Sequence, residues 1–152
     1  MSVQSVKAFF ADHAPDLKVI ELDVSTATVE QAAAGHNVEP GQIAKTLAIR
    51  IGDEIVLVVA KGTSRLDNKK FKAQFSTKPR MLGLDEVEQE TGHPVGGVCP
   101  FGLVKPLKIY CDVALQAYDE VVPAAGGTKA AVRIAPIRIA ELTRAEWIDV
   151  CE

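Results

Sequence analysis

A lysine on an apolar strand face is the first residue in this chain whose chemistry needs explaining. In the run A-K-T-L-A-I-R-I at residues 44–51, alternate side chains of an extended strand share a side, so Lys45 faces the same way as Leu47, Ile49 and Ile51. Two readings follow. The aliphatic stem can run past the sheet edge and carry the ammonium into water, or the ammonium can sit at the mouth of a pocket and bind an anion such as phosphate. Residue pattern alone leaves both open.

The segment H-P-V-G-G-V-C-P-F-G at residues 93–102 is the second unusual feature. Gly96, Gly97 and Gly102 allow close approach to the backbone, while Pro94 and Pro100 stiffen it, so its N–H groups can be aimed at one ligand oxygen, as in an oxyanion hole. The plainer reading is a tight helix-to-strand connection. Cys99 lies inside this loop. With His93 as base it has the residue types of a thiol nucleophile, although the spacing alone is weak evidence and small cysteines are commonly inert packing residues. The three histidines, His13, His36 and His93, are far apart in the chain, and there is no HExxH or paired-cysteine spacing. No metal site is therefore expected. The phosphate-binding patterns GxxxxGK[ST] and GxGxxG do not occur either, and no cofactor is expected.

These residues need elements to position them. Ser2, Val3, Val6 and Phe10 have helical spacing, and residues 17–22 read as a short strand. Thr28 and Gln31 form a capping-box pattern for a helix over residues 28–35, ended by Gly35. Residues 44–51 and 54–60 are strands joined by Gly52 and Asp53, a pair suited to a two-residue hairpin. Asp67 caps a helix to about residue 75, with Leu66 and Phe71 placed as a hydrophobic staple. Further on, residues 80–82 read as a strand, 85–91 as a helix stopped by Gly92, and 93–102 as a loop. Residues 107–111, 120–123 and 130–134 read as strands, with a turn at Gly126 and Gly127, and Pro136 opens a helix to about residue 142. The order mixes strands and helices without strict βαβ alternation, which predicts an α+β fold. The expectation is a single domain over residues 1–152, with a mixed or antiparallel sheet of about six to seven strands.

Composition sets the outer bounds. The chain has 152 residues, 47% hydrophobic and 24% charged, enough to bury roughly 70% of the unfolded surface in one core. Three unpaired-looking cysteines suit a reducing compartment such as the cytoplasm. No apolar run approaches the length of a membrane span, and the N-terminus lacks a signal-peptide pattern. The net charge of −3 argues against a protein that coats duplex DNA. The cluster Lys69, Lys70, Lys72, Lys78 and Arg80 reads first as a solvated helix face.

Taken together, G-Q-I-A-K-T-L at 41–47, L-D-N-K-K at 66–70 and T-G-H-P-V-G-G-V-C-P-F-G-L at 91–103 resemble the YbaK/ProX family. That family comprises free-standing relatives of the editing domain inserted in bacterial prolyl-tRNA synthetases. The resemblance extends from about Ala27 to the C-terminal helix. It implies a trans-acting, metal-independent aminoacyl-tRNA deacylase that hydrolyses the ester joining a mischarged amino acid to the terminal adenosine of tRNA. The implied partners are the tRNA acceptor end and an aminoacyl-tRNA synthetase. The family's motif lysine matches Lys45, and its GxxxP loop matches Gly96, Gly97, Val98, Cys99 and Pro100 as the catalytic segment. Thr46, His93, Phe101 and Gly102 are implied as substrate contacts. Some members have serine where Cys99 stands, which argues against a thiol nucleophile, and many have tyrosine where His93 stands. A catalytically silent module that binds a tRNA end or a synthetase is the alternative of the same fold.

Overall fold

The hairpin at Gly52 and Asp53 organises the molecule. In the computed structural model, which describes residues 2–152, β2 (Ile43–Ile51) and β3 (Glu54–Lys61) pair antiparallel in unbroken register from Ala44 opposite Lys61 to Ile51 opposite Glu54. Gly52 takes a φ of 59°, the positive value the turn demands. Alternation divides the two faces of β2: Ala44 and Ala48 pack into the larger core, while Leu47, Ile49 and Ile51 pack into a second core beneath α3 (Asn68–Phe75). Leu66 and Phe71 meet in that second core, as the staple predicts, and the Asp67 carboxylate caps α3 by accepting from the Lys70 amide.

Six strands form a mixed sheet in the order β4-β2-β3-β5-β8, with β6 also paired to β2. At one end β4 (Arg80–Met81) runs antiparallel to β2, and on the other side of the hairpin β5 (Lys108–Asp112) runs parallel to β3. β8 (Glu146–Ile148) lies parallel to β5, and β6 (Val122–Pro123) runs parallel to β2 at Ile43 and Ala44. A separate two-stranded sheet joins β1 (Ile20–Glu21) to β7 (Ala130–Ala131). The fold is α+β, with five α-helices and eight strands among the described residues.

Several boundaries differ from those read in the sequence. The strand expected over residues 17–22 contracts to Ile20–Glu21, because the Leu17 amide closes a turn onto Ala14 and β7 offers only two partners. β8 was not anticipated. Its three residues carry no local signal, and it exists through parallel pairing with β5. The Asp112 carboxylate secures that end of the molecule by accepting from the amides of Val150 and Ala114. The helices are α1 (Ser2–His13), α2 (Val29–His36), α3, α4 (Leu84–Thr91) and α5 (Pro136–Thr143). At α2 both halves of the Thr28–Gln31 capping box form, but the helix is ended by Asn37 in the left-handed region and not by Gly35. No helix among the described residues is long and apolar enough to cross a membrane.

Candidate active site

A break in the sheet makes the site. On the side of β2 away from β3, β6 pairs only as far as Ala44 and β4 begins at Ile49. Between them a cavity of about 360 Å³ opens against residues 44–48. Its other walls are the start of α2 at Thr28 and Val29, the α4 side at Leu82 and Val87, the loop residues Val95, Gly96 and Val98, and Ala124 and Ala130. The lining is apolar apart from Thr26, Thr28, Thr46 and Lys45, and among the described residues Lys45 is its one ionisable residue.

The Lys45 ammonium does not run free into solvent. It donates to the carbonyl of Ser64 and, at 3.3 Å, to that of Gly62, in the turn after β3. Burial pushes its pKa below the ordinary lysine range, and the nearby Arg65 charge adds to the effect. An ammonium has three hydrogens, so two carbonyls leave one for another acceptor. Neighbouring Thr46 also lines the cavity, and its hydroxyl is buried without a hydrogen-bond partner. The other two threonines of the lining each hold a partner: Thr26 Oγ1 donates to the Thr128 carbonyl, and Thr28 Oγ1 accepts from the Gln31 amide.

Backbone fit fixes the loop. Gly96 has a φ of 90° and lies so close to Ala27 that an added Cβ would sit 2.7 Å from the alanine Cβ. A Cβ on Gly97 would sit 2.6 Å from the Gly127 nitrogen. The Gly97 amide donates to the Pro94 carbonyl, and its own carbonyl accepts from Gly126. Gly97 is therefore engaged at both ends, whereas the amides of Gly96 and Val98, which line the cavity, donate to no backbone carbonyl among the described residues.

The remaining sequence candidates lie elsewhere. Cys99, Phe101 and His93 are fully buried and do not line the cavity. Pro100 and Gly102 border a separate depression beside Phe9 and Leu103. His93 Nε2 lies 2.7 Å from the Phe101 carbonyl, which only accepts, so this nitrogen carries the proton. It cannot then act as base for the Cys99 sulfur 3.6 Å away. Burial also pushes the Cys99 thiol up to about 12. These facts disfavour the thiol-nucleophile reading, because the attacking species would be a thiolate. The sequence reading missed the wall residues Leu82, Val87, Ala124 and Ala130, which carry no signal beyond being apolar. For Thr26 and Thr28 the capping box located the helix start but not the cavity.

With this geometry established, the similarities to known proteins become informative. Residues 23–142 match the aminoacyl-tRNA editing domain. The chain is 42% identical to YwhH, an uncharacterised protein of Bacillus subtilis (strain 168), over its whole length and 98% of that protein. It is 28% identical to the proline–tRNA ligase of Kosmotoga olearia, where 92% of the chain aligns with 25% of the ligase. The solved structure of a candidate trans-editing enzyme for prolyl-tRNA synthetase superposes with a TM-score of 0.91 at 34% identity, covering 99% of this chain and 97% of that one. This chain belongs to the aminoacyl-tRNA editing domain family.

Proposed function

We propose that the cavity hydrolyses the ester between a mischarged amino acid and the terminal adenosine of tRNA, acting in trans on the free acceptor end. One observation carries this reading: Lys45, Gly96 and Val98 border a single apolar cavity of about 360 Å³. In this reaction water adds to the ester carbonyl carbon, the carbon–oxygen bond to the ribose breaks, and the ribose oxygen leaves with a proton from the water. The remaining hydrogen of Lys45 binds a phosphate of the terminal nucleotide, and the loop amides stabilise the oxyanion. The lining offers no carboxylate, histidine or thiol as a general base, so the vicinal ribose hydroxyl is the nearest group to relay the proton. An aminoacyl ester is already activated, and positioning supplies much of the remaining rate. The apolar walls select by size, at about 1–3 kcal/mol per methylene.

The absence of a side-chain base also favours, as a second reading, a module that captures the same end without turnover. Purified protein at catalytic concentration is incubated with a panel of mischarged tRNAs, and free amino acid is measured. Multiple turnovers on one member support the deacylase; stoichiometric capture without release on every member rejects it.

A further inference from the structure

The break in the sheet exposes peptide groups as well as side chains. The two-residue turn makes Ile51 and Glu54 the closing hydrogen-bonded pair, so Ile49, Leu47 and Lys45 direct their N–H and C=O groups toward β3. Arg50, Ala48, Thr46 and Ala44 direct theirs to the opposite side, and the Leu82 amide accordingly donates to the Ala48 carbonyl. Ala44 is opposite β6 and Arg50 opposite β4. Thr46 is opposite neither, and its peptide groups point into the cavity. Between Ala44, paired to β6, and Ala48, which accepts from Leu82, the strand rises about 13 Å, and Thr46 is the one residue in this interval whose peptide groups face the open side.

An aminoacyl ester brings an α-ammonium into this space. The lining contains no carboxylate to receive it, and the Thr26 and Thr28 hydroxyls each already hold a protein partner. At the break itself β2 offers the Thr46 carbonyl and the Thr46 hydroxyl, the one threonine hydroxyl of the lining that is buried without a partner.

We propose that the sheet break is the recognition site for the amino-acid backbone, with the substrate filling the missing position beside Thr46. Its α-ammonium donates to the Thr46 carbonyl and hydroxyl, and the Thr46 N–H donates to the ester carbonyl. The main chain of β2 thus reads what all aminoacyl esters share, and the apolar walls read what distinguishes them. This inference rests on the deacylase reading above.

The test is amide hydrogen exchange on the whole protein, with and without a saturating 3′-aminoacylamido-3′-deoxyadenosine carrying the best-edited amino acid, alongside deacylation of the matching tRNA. The Thr46 amide is expected to exchange faster than those of its neighbours Lys45 and Leu47 in the free protein and to slow at least tenfold on binding. Acetylation of the substrate α-nitrogen is expected to lower kcat/KM at least a hundredfold. If the analogue binds and Thr46 is not protected, or if the acetylated tRNA is cleaved as fast as the free amine, the proposal is overturned while the deacylase reading stands. Neither turnover nor binding on any aminoacyl substrate overturns both.

Discussion

The Lys45 ammonium is tied to the carbonyl of Ser64, the residue three positions beyond the end of the partner strand β3. This contact joins the motif lysine to the turn that leads into α3, so the side chain is positioned before any substrate arrives. Replacing Lys45 by alanine should lower deacylation efficiency ten- to a hundredfold, the effect of losing a charge-assisted contact of about 1.5–3 kcal/mol. It should also destabilise the fold by about 1–2 kcal/mol, because two carbonyls lose their donor. Arginine should restore little activity, since a planar fork does not replace a compact ammonium between two carbonyls. Steady-state kinetics with denaturant melts separate the two effects. An alanine variant as active as the parent would refute the phosphate-anchor role.

Gly97→Ala should damage both stability and activity. Its Cβ would meet the Gly127 backbone at 2.6–2.8 Å, and neither partner is a flexible side chain that can swing aside. Overpacking of this kind costs about 1–3 kcal/mol. The displaced loop should lose at least tenfold in kcat, with a smaller change in KM. Unchanged kinetics would show that loop position does not matter to the reaction.

Cys99→Ser should keep most of the deacylation rate, as expected if the loop acts through its backbone. A loss of about a thousandfold would restore the nucleophile reading. Cys99, Cys111 and Cys151 are all buried, and burial raises each thiol to about 12. Native protein should therefore react slowly with a thiol reagent at neutral pH, and unfolded protein should titrate three thiols.

His93 gives stability a dependence on acid. Burial lowers its pKa, with the Phe101 carbonyl opposing, so the folded state keeps the ring neutral. His36 is lowered in the same sense, by burial and then by the Arg133 charge. A base whose folded pKa lies below its unfolded value of about 6.5 contributes fully above that pH. As pH falls below it, the unfolded chain takes up the proton first and stability drops, by up to about 1.4 kcal/mol per pH unit for each such group. His93→Gln retains a donor for the Phe101 carbonyl and removes the titration. Chemical denaturation between pH 7 and 5 should show a shallower decline for this variant; an unaltered slope would exclude His93 as a contributor.

Thr46→Val should stabilise the protein and impair it. The buried hydroxyl has no partner, so its removal should gain about 1 kcal/mol of stability. If the hydroxyl receives the substrate ammonium, deacylation should fall several-fold. A rise in melting temperature with unchanged kinetics would leave the hydroxyl without a functional role.

Local chemistry made part of this molecule legible. The Gly52–Asp53 hairpin, the Asp67 cap with its Leu66–Phe71 staple and the Thr28–Gln31 box are each written within a few residues, and each forms. The motifs also drew attention to Lys45 and Gly96, which border one cavity. The break in the sheet was not legible, because it depends on where two-residue strands from distant segments stop pairing. Nor was the burial of His93, Cys99 and Phe101: a run rich in glycine and proline resembles an exposed loop, whereas this one crosses the larger core, with Phe101 against Phe10 at a centroid distance of 4.9 Å. β8 was hidden for the same reason as the sheet break, since its stability comes from Tyr110, Cys111 and Asp112 and not from its own residues.

The opening beside Thr46 bears on solubility too. Unpaired strand edges recruit other chains, and proteins that leave long edges bare tend to aggregate. Here the bare stretch is bounded at one end by β6 and at the other by β4, so an incoming strand would collide with one or the other before making a second pair of hydrogen bonds. The two short flanking strands act as stops: they leave open the peptide groups of a single residue, too few to template a fibril. Substitutions that unpin β4 from Ile49 and Arg50 should therefore promote self-association before they unfold the domain.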